Sequence, residues 1–187
     1  MDKETVTLIS AVIAAIASVV ALLLKIGADR NTELRGVKRK ALEAYIVDLG
    51  QALHEVVASS NTLLQPAKEK QRPKWIERAK NAQKTLKELR PRVRYSLWGA
   101  EDAIRSLSYL PDWAARRSAN LNNTRDLIEK ATALRVELDV VIRNCYDDGR
   151  VPWLRERLRL KYRNYRFLKA WGKTKDAFYE ESDDVGE

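Results

Sequence analysis

The chain has 187 residues, with 35 Lys or Arg against 26 Asp or Glu, and only one His and one Cys. One His and one Cys exclude a zinc site of the usual ligand spacings, and a lone Cys145 excludes an internal disulfide. Seven Gly and five Pro among long Leu/Ala/Lys/Arg/Glu-rich segments favour helix over sheet, and the net charge of +9 points to anionic partners.

Val6 to Leu24 is a run of nineteen residues, VTLISAVIAAIASVVALLL, without a charge. As a helix it spans about 29 Å, close to the hydrocarbon thickness of a bilayer. A cleaved signal peptide would want a basic start, a shorter apolar run and a small-residue cleavage site. Here Asp2-Lys3-Glu4 precedes the run, and Lys25, Asp29 and Arg30 follow it. Residues 1–27 therefore read as a retained single-pass anchor. Lys25, Arg30, Arg35, Lys38, Arg39 and Lys40 after the run, against one Lys before it, place the C-terminal side in the cytoplasm at the cell (inner) membrane. Within the run, Ser10, Ala14, Ala17, Ser18 and Ala21 share a side at small-residue spacing, a candidate face for self-association in lipid. Alanine is common in membrane spans, so the stripe alone does not demand a dimer.

Gly27 is placed to end the span, and Asn31 or Thr32 to cap the next helix. From Glu33 to Gln65, Leu42, Ile46, Leu49, Leu53, Val56, Ser60 and Leu63 step by four and three, one apolar seam of a helix. Pro66 ends it. From Lys74 the seam resumes as Ile76, Ala79, Gln83, Leu86, Arg90, Val93, Leu97, Ala100, Ile104 and Leu107. Pro91 sits inside this run, and the phase survives across it, which favours a kink over two helices meeting at Arg90-Pro91. After a connection around Leu110-Pro111-Asp112-Trp113, the seam Leu121, Thr124, Ile128, Ala131, Leu134, Leu138, Val141 and Cys145 defines a further helix, stopped at Asp147-Asp148-Gly149. Pro152 suits the first turn of a last helix, running to about Lys173. The expected fold is all-α: an N-terminal transmembrane helix, then an elongated antiparallel cytoplasmic bundle of about four helices with coiled-coil-like packing over 28–175. The remainder, 176–187, holds six acids and no base and reads as a disordered tail, placed to fold back on the basic helix before it.

The last helix is the one surface with a message. Between Arg150 and Lys175 ten Lys or Arg face Glu156 alone, so this segment carries a charge equal to that of the whole chain. Arg155, Arg159, Arg163, Arg166 and Lys173 share one arc. Leu154, Leu158, Tyr162, Tyr165 and Leu168 form an apolar stripe beside it, and Trp153, Leu160, Phe167 and Trp171 form a second. A bundle helix needs one apolar stripe. Both stripes as core is the first expectation, since aromatic stripes are most often buried. Contact with anionic lipid comes next, through the basic arc with Trp153, Phe167 and Trp171. Nucleic acid ranks last, because no binding motif is present.

No chemical signature accompanies this architecture. His54 is a seam-edge residue, no glycines cluster into a phosphate loop, and no Glu-x-x-His pairs mark a di-metal bundle. Asn122-Asn123-Thr124 is a chance match to a glycosylation site on the expected cytoplasmic side. No catalytic residue, cofactor or metal is expected. The sequence points to a membrane-anchored, non-enzymatic scaffold that binds a protein partner or further copies of itself, its last helix the contact surface. A membrane-perturbing effector of toxin or defence type, acting through oligomerised anchors, is the alternative. A membrane tether for nucleic acid is the third reading.

Overall fold

The computed structural model describes residues 3–63, 70–115 and 121–184, with side chains described over 16–63, 70–114 and 124–174. Within them the chain is all-α. The helices are α1 (Lys3–Glu43), α2 (Ile46–Leu63), α3 (Arg72–Ser96), α4 (Glu101–Ser108), α5 (Leu110–Ala115), α6 (Leu121–Asp148) and α7 (Leu154–Asp184).

The three expected seams build the core. Leu42, Leu49, Leu53, Val56 and Ser60 on the first are buried, as are Leu86, Val93, Leu97, Ile104 and Leu107 on the second and Ala131, Leu134, Leu138, Val141 and Cys145 on the third. Leu121 of that third seam lies outside the described side chains. α2 packs along α3 and α6 along α7, with α2 also on α6, and short α4 and α5 fill between them. Tyr45, just ahead of α2, lies beside Arg92 and Ser96 at the end of α3, whereas Arg72 at the start of α3 donates to the Leu63 carbonyl at 3.3 Å. The pair is therefore antiparallel, and the bundle has two distinct ends. A smaller cluster of Leu63, Ala79 and Ala114, with Trp75 and Ile76, closes the end away from Tyr45.

The breaks fall elsewhere than the sequence suggests. α1 runs unbroken through Gly27, and Thr32 does not cap a new helix: its hydroxyl donates to the Ala28 carbonyl at 3.0 Å, inside the same helix. The chain turns at Ala44–Tyr45 instead, where Tyr45, 3% exposed, swings into the core. α3 continues through the exposed Pro91 and ends after Ser96, so no break falls at Arg90-Pro91. The turn that follows needs Gly99, at φ +90°, where an added Cβ would lie 2.8 Å from the Arg157 side chain of α7. Pro152 precedes α7 rather than entering its first turn, and the helical backbone extends to Asp184, through most of the segment expected to be a disordered tail. A helix that runs straight on does not fold back on its own basic face.

α1 divides into a bare part and a docked part. Every residue from Ile16 to Ala41 is exposed, and Leu42 is the first buried one. Arg39 donates from Nε to the Tyr146 carbonyl at 3.1 Å and from Nη2 to the Asp147 carbonyl, satisfying two of the last α6 carbonyls. Gly149, at φ +59°, ends α6 so closely against α1 that a Cβ there would sit 2.6 Å from the Arg35 carbonyl oxygen. α1 therefore leaves the bundle beside the α6–α7 turn, at the end that also holds Tyr45 and the α3–α4 turn. Among the described residues no helix is long and apolar enough to cross a membrane; the side chains of 6–15, the first part of the nineteen-residue run, lie outside them.

Candidate functional site

α7 is fixed at its start by the one acid in its basic segment. The Glu156 carboxylate accepts from the Trp153 backbone N–H at 2.8 Å, the reach-back half of a capping box. It also accepts two parallel bonds from the Arg150 guanidinium, at 2.7 and 2.8 Å, and one from Asn144 of α6 at 3.1 Å. These donors, Arg150 foremost, hold its carboxyl down at about 2. Asp148 completes the set with a 2.7 Å contact to Arg150 Nε. The network ties the end of α6 to the first turn of α7 and so sets which face of α7 turns inward.

The two apolar stripes of α7 then meet opposite fates. Leu160 and Phe167 are 0% and 1% exposed in the main core. Trp171 is half-buried, its ring centroid 6.2 Å from Phe167, 5.9 Å from Tyr109 and 6.4 Å from Trp113. Leu154, Leu158, Tyr162, Tyr165 and Leu168 are all exposed, from 42% to 64%. The expectation that both stripes are core is thus corrected: one is, and the outer one has no covering helix. Of the expected contact residues, Arg155, Arg159, Arg166 and Lys173 are exposed and Arg163 is half-buried. Phe167 and Trp171 do not belong with them, because they pack into the core, and Trp153 stands exposed just before the helix. On α1, Ala17, Ser18 and Ala21 are exposed, and the side chains of Ser10 and Ala14 lie outside the described residues.

Beside the outer stripe runs a groove of about 660 Å³ between α4 and α7. Asp102, Arg105 and Tyr109 form the α4 wall, and Arg157, Lys161, Asn164, Tyr165, Leu168 and Trp171 the α7 wall, over Ala103 and Leu160. The Arg105 guanidinium against the Tyr109 hydroxyl holds that phenol below its ordinary pKa. Three buried polar atoms in this wall, Arg157 Nε, Asn164 Oδ1 and Trp171 Nε1, have no hydrogen-bond partner among the described residues. They recur every seven residues, so they stand in line at intervals of about 10 Å along the helix. Buried polar groups are ordinarily paired, and along α7 these three are exceptions with no surface open to the groove.

The outer stripe was visible in the sequence as spacing, but spacing alone does not tell which of two stripes a neighbour covers. Arg105 and Tyr109 carried no signal, since their place opposite α7 depends on the turn at Gly99. Among the described residues no three His, Cys, Asp or Glu side chains gather as a metal site. No protein-family model matches the sequence, and no curated protein or solved structure matches it either.

Proposed function

We propose that this chain is a single-pass membrane protein and a non-enzymatic adaptor, whose α4–α7 groove holds an acidic amphipathic helix of a protein partner at the cytoplasmic face. The observation that carries this reading is the uncovered stripe Leu158, Tyr162, Tyr165 and Leu168, flanked by Arg155, Arg159, Lys161 and Arg166. An apolar strip with basic borders is complementary to a helix with an apolar stripe and acidic borders. The adjoining surface is concave, which suits a helix ridge better than a flat bilayer. A second copy of the same face would set base against base, at a cost that disfavours self-pairing here.

The anchor is supported by exposure as well as by composition. Ile16, Val19, Val20, Leu22, Leu23, Leu24 and Ile26 are between 49% and 70% exposed, with nothing from the bundle over them. At about 1.5–3 kcal/mol for each such side chain, leaving them in water costs on the order of 10 kcal/mol, as much as a domain's whole stability. A bilayer removes that cost.

The test is a photo-crosslinking side chain at Tyr165 or Leu168 of the full-length chain in its own cells, with exposed Val136 on α6 as control. One discrete adduct to another protein from the groove positions, absent from Val136 and lost with Arg159→Glu and Arg166→Glu, is the expected result. Adducts only to lipid, or only to a second copy of this chain, would overturn it.

A further inference from the structure

The end of the bundle from which α1 emerges carries its own cluster of exposed aromatics, separate from the groove. Tyr95 at the end of α3 is 84% exposed, Trp98 in the α3–α4 turn 57%, Trp153 before α7 65% and Leu154 64%. Both indoles are held in place by cations from beside them: the Arg157 guanidinium lies 4.4 Å from the Trp98 ring centroid, and that of Arg150 5.5 Å from Trp153. Arg92, Arg94 and Arg155, within six residues of these indoles in the chain, are exposed. Of the nearby acids, Glu101 faces Arg94 at 3.9 Å and Asp148 and Glu156 are bonded to Arg150, leaving Asp102, four residues after Trp98, and Asp147 at the end of α6 exposed.

The three other tryptophans are placed differently. Trp75, Trp113 and Trp171 are half-buried at the opposite end. Exposed Trp among Arg, present among the described residues at this end alone, is the arrangement found at the boundary between lipid and water, where an indole has an apolar body and a polar N–H to satisfy at once. Position points the same way. Arg35, which touches Gly149 at this end, is eleven residues beyond Leu24, or about 16 Å of helix. The headgroup layer takes up about 6 Å of that and an ordinary tilt of about 20° about 1 Å more, so the side chains at this end have about 9 Å left to span.

We propose that this end of the bundle is a seat on the bilayer surface, in which Tyr95, Trp98, Trp153 and Leu154 enter the headgroup layer and Arg92, Arg94 and Arg155 meet anionic lipid phosphates. The proposal rests on the reading of the apolar run as an anchor. The seat would fix the angle at which the adaptor groove stands to the membrane, because α7 starts there.

The experiment uses the full-length chain in phosphatidylcholine vesicles with and without phosphatidylglycerol, with lipids brominated near the headgroup as quenchers of tryptophan. Retention in vesicles after alkaline extraction reports the anchor separately. The wild-type chain is expected to stay in the vesicles and to lose about half of its tryptophan emission, more so with phosphatidylglycerol. The Trp98→Phe/Trp153→Phe variant, with unchanged helicity, should be anchored equally and barely quenched. An anchored wild-type chain whose emission is untouched, or a variant quenched as much as wild type, overturns the seat and leaves the anchor standing. A chain stripped from the vesicles overturns the anchor, and the seat with it.

Discussion

The two apolar stripes of α7 are both built of leucine and aromatic side chains, yet Leu160 is 0% exposed and Leu158, two residues earlier, is 58% exposed, as Phe167 is 1% and Tyr165 62% exposed. Hydrophobicity cannot explain the difference. The inner stripe is covered because Glu156 fixes the rotation of α7 against α6, and the outer one is bare because α4, only eight residues long, walls one side of it without covering it. Burial is decided by the neighbour, and a bare stripe on an otherwise well-packed helix is a surface that waits for one.

The comparison breaks most sharply by truncation. Phe167→Ala should cost about 3–5 kcal/mol in chemical denaturation, whereas Tyr165→Ala should stay within about 0.5 kcal/mol and act only on partner crosslinking. Equal losses would mean that the outer stripe is also core. Next comes the joint that sets α1 against the bundle. Gly149→Ala forces a side chain into a left-handed backbone and against the Arg35 carbonyl, so a loss of about 2–3 kcal/mol is expected. Spin labels at Lys38 and Arg143 should then show a broadened distance distribution.

Glu156 sharpens the comparison with a smaller effect. Its carboxyl is held at about 2 against an ordinary 4.5, so the ionised form is favoured by folding. The stabilisation is complete above about pH 4.5 and is lost as the pH falls towards 2. With allowance for solvent screening it amounts to about 1–2 kcal/mol. Glu156→Gln should lower stability at neutral pH by that amount and flatten the loss in the acid window; an unchanged acid limb would put the pH dependence elsewhere. The gentlest probe is Cys145. Burial pushes its thiol up to about 12, so alkylation of the native chain at pH 8 should run about a thousandfold slower than after denaturation. Fast labelling would show that α6 opens locally at this turn.

The sequence carried the seams because their spacing is local and strictly periodic: fifteen seam residues from Leu42 to Leu138 fall at 0–2% exposure as the steps of three and four imply. Its errors arose where a distant segment decides. The turn at Ala44–Tyr45 exists because Tyr45 must reach the core, while Thr32, a good cap by type, lies in a stretch that nothing interrupts. Arg39 counted only as a flanking charge; its role on the α6 carbonyls appears when residues 107 positions apart meet. Glu156 was legible as the single acid in a basic segment, and its spacing from Trp153 is that of a capping box, but its bonds to Arg150 and Asn144 were not. For the groove, the sequence supplied one wall and gave no sign of the other.

The clasp of Arg39 and Gly149 on α1 has a consequence for how the protein could be tuned. With the helix unbroken from Leu24 to Leu42, the bundle is keyed to the proposed anchor like a gear on a shaft. One alanine inserted after Gly27 would lift it by about 1.5 Å but swing it about 100° around the shaft. Two such insertions carry the groove round to the far side, and seven bring it back within about 20° of where it began. The register of a bare, contactless stretch of helix would then set the compass bearing of the binding surface.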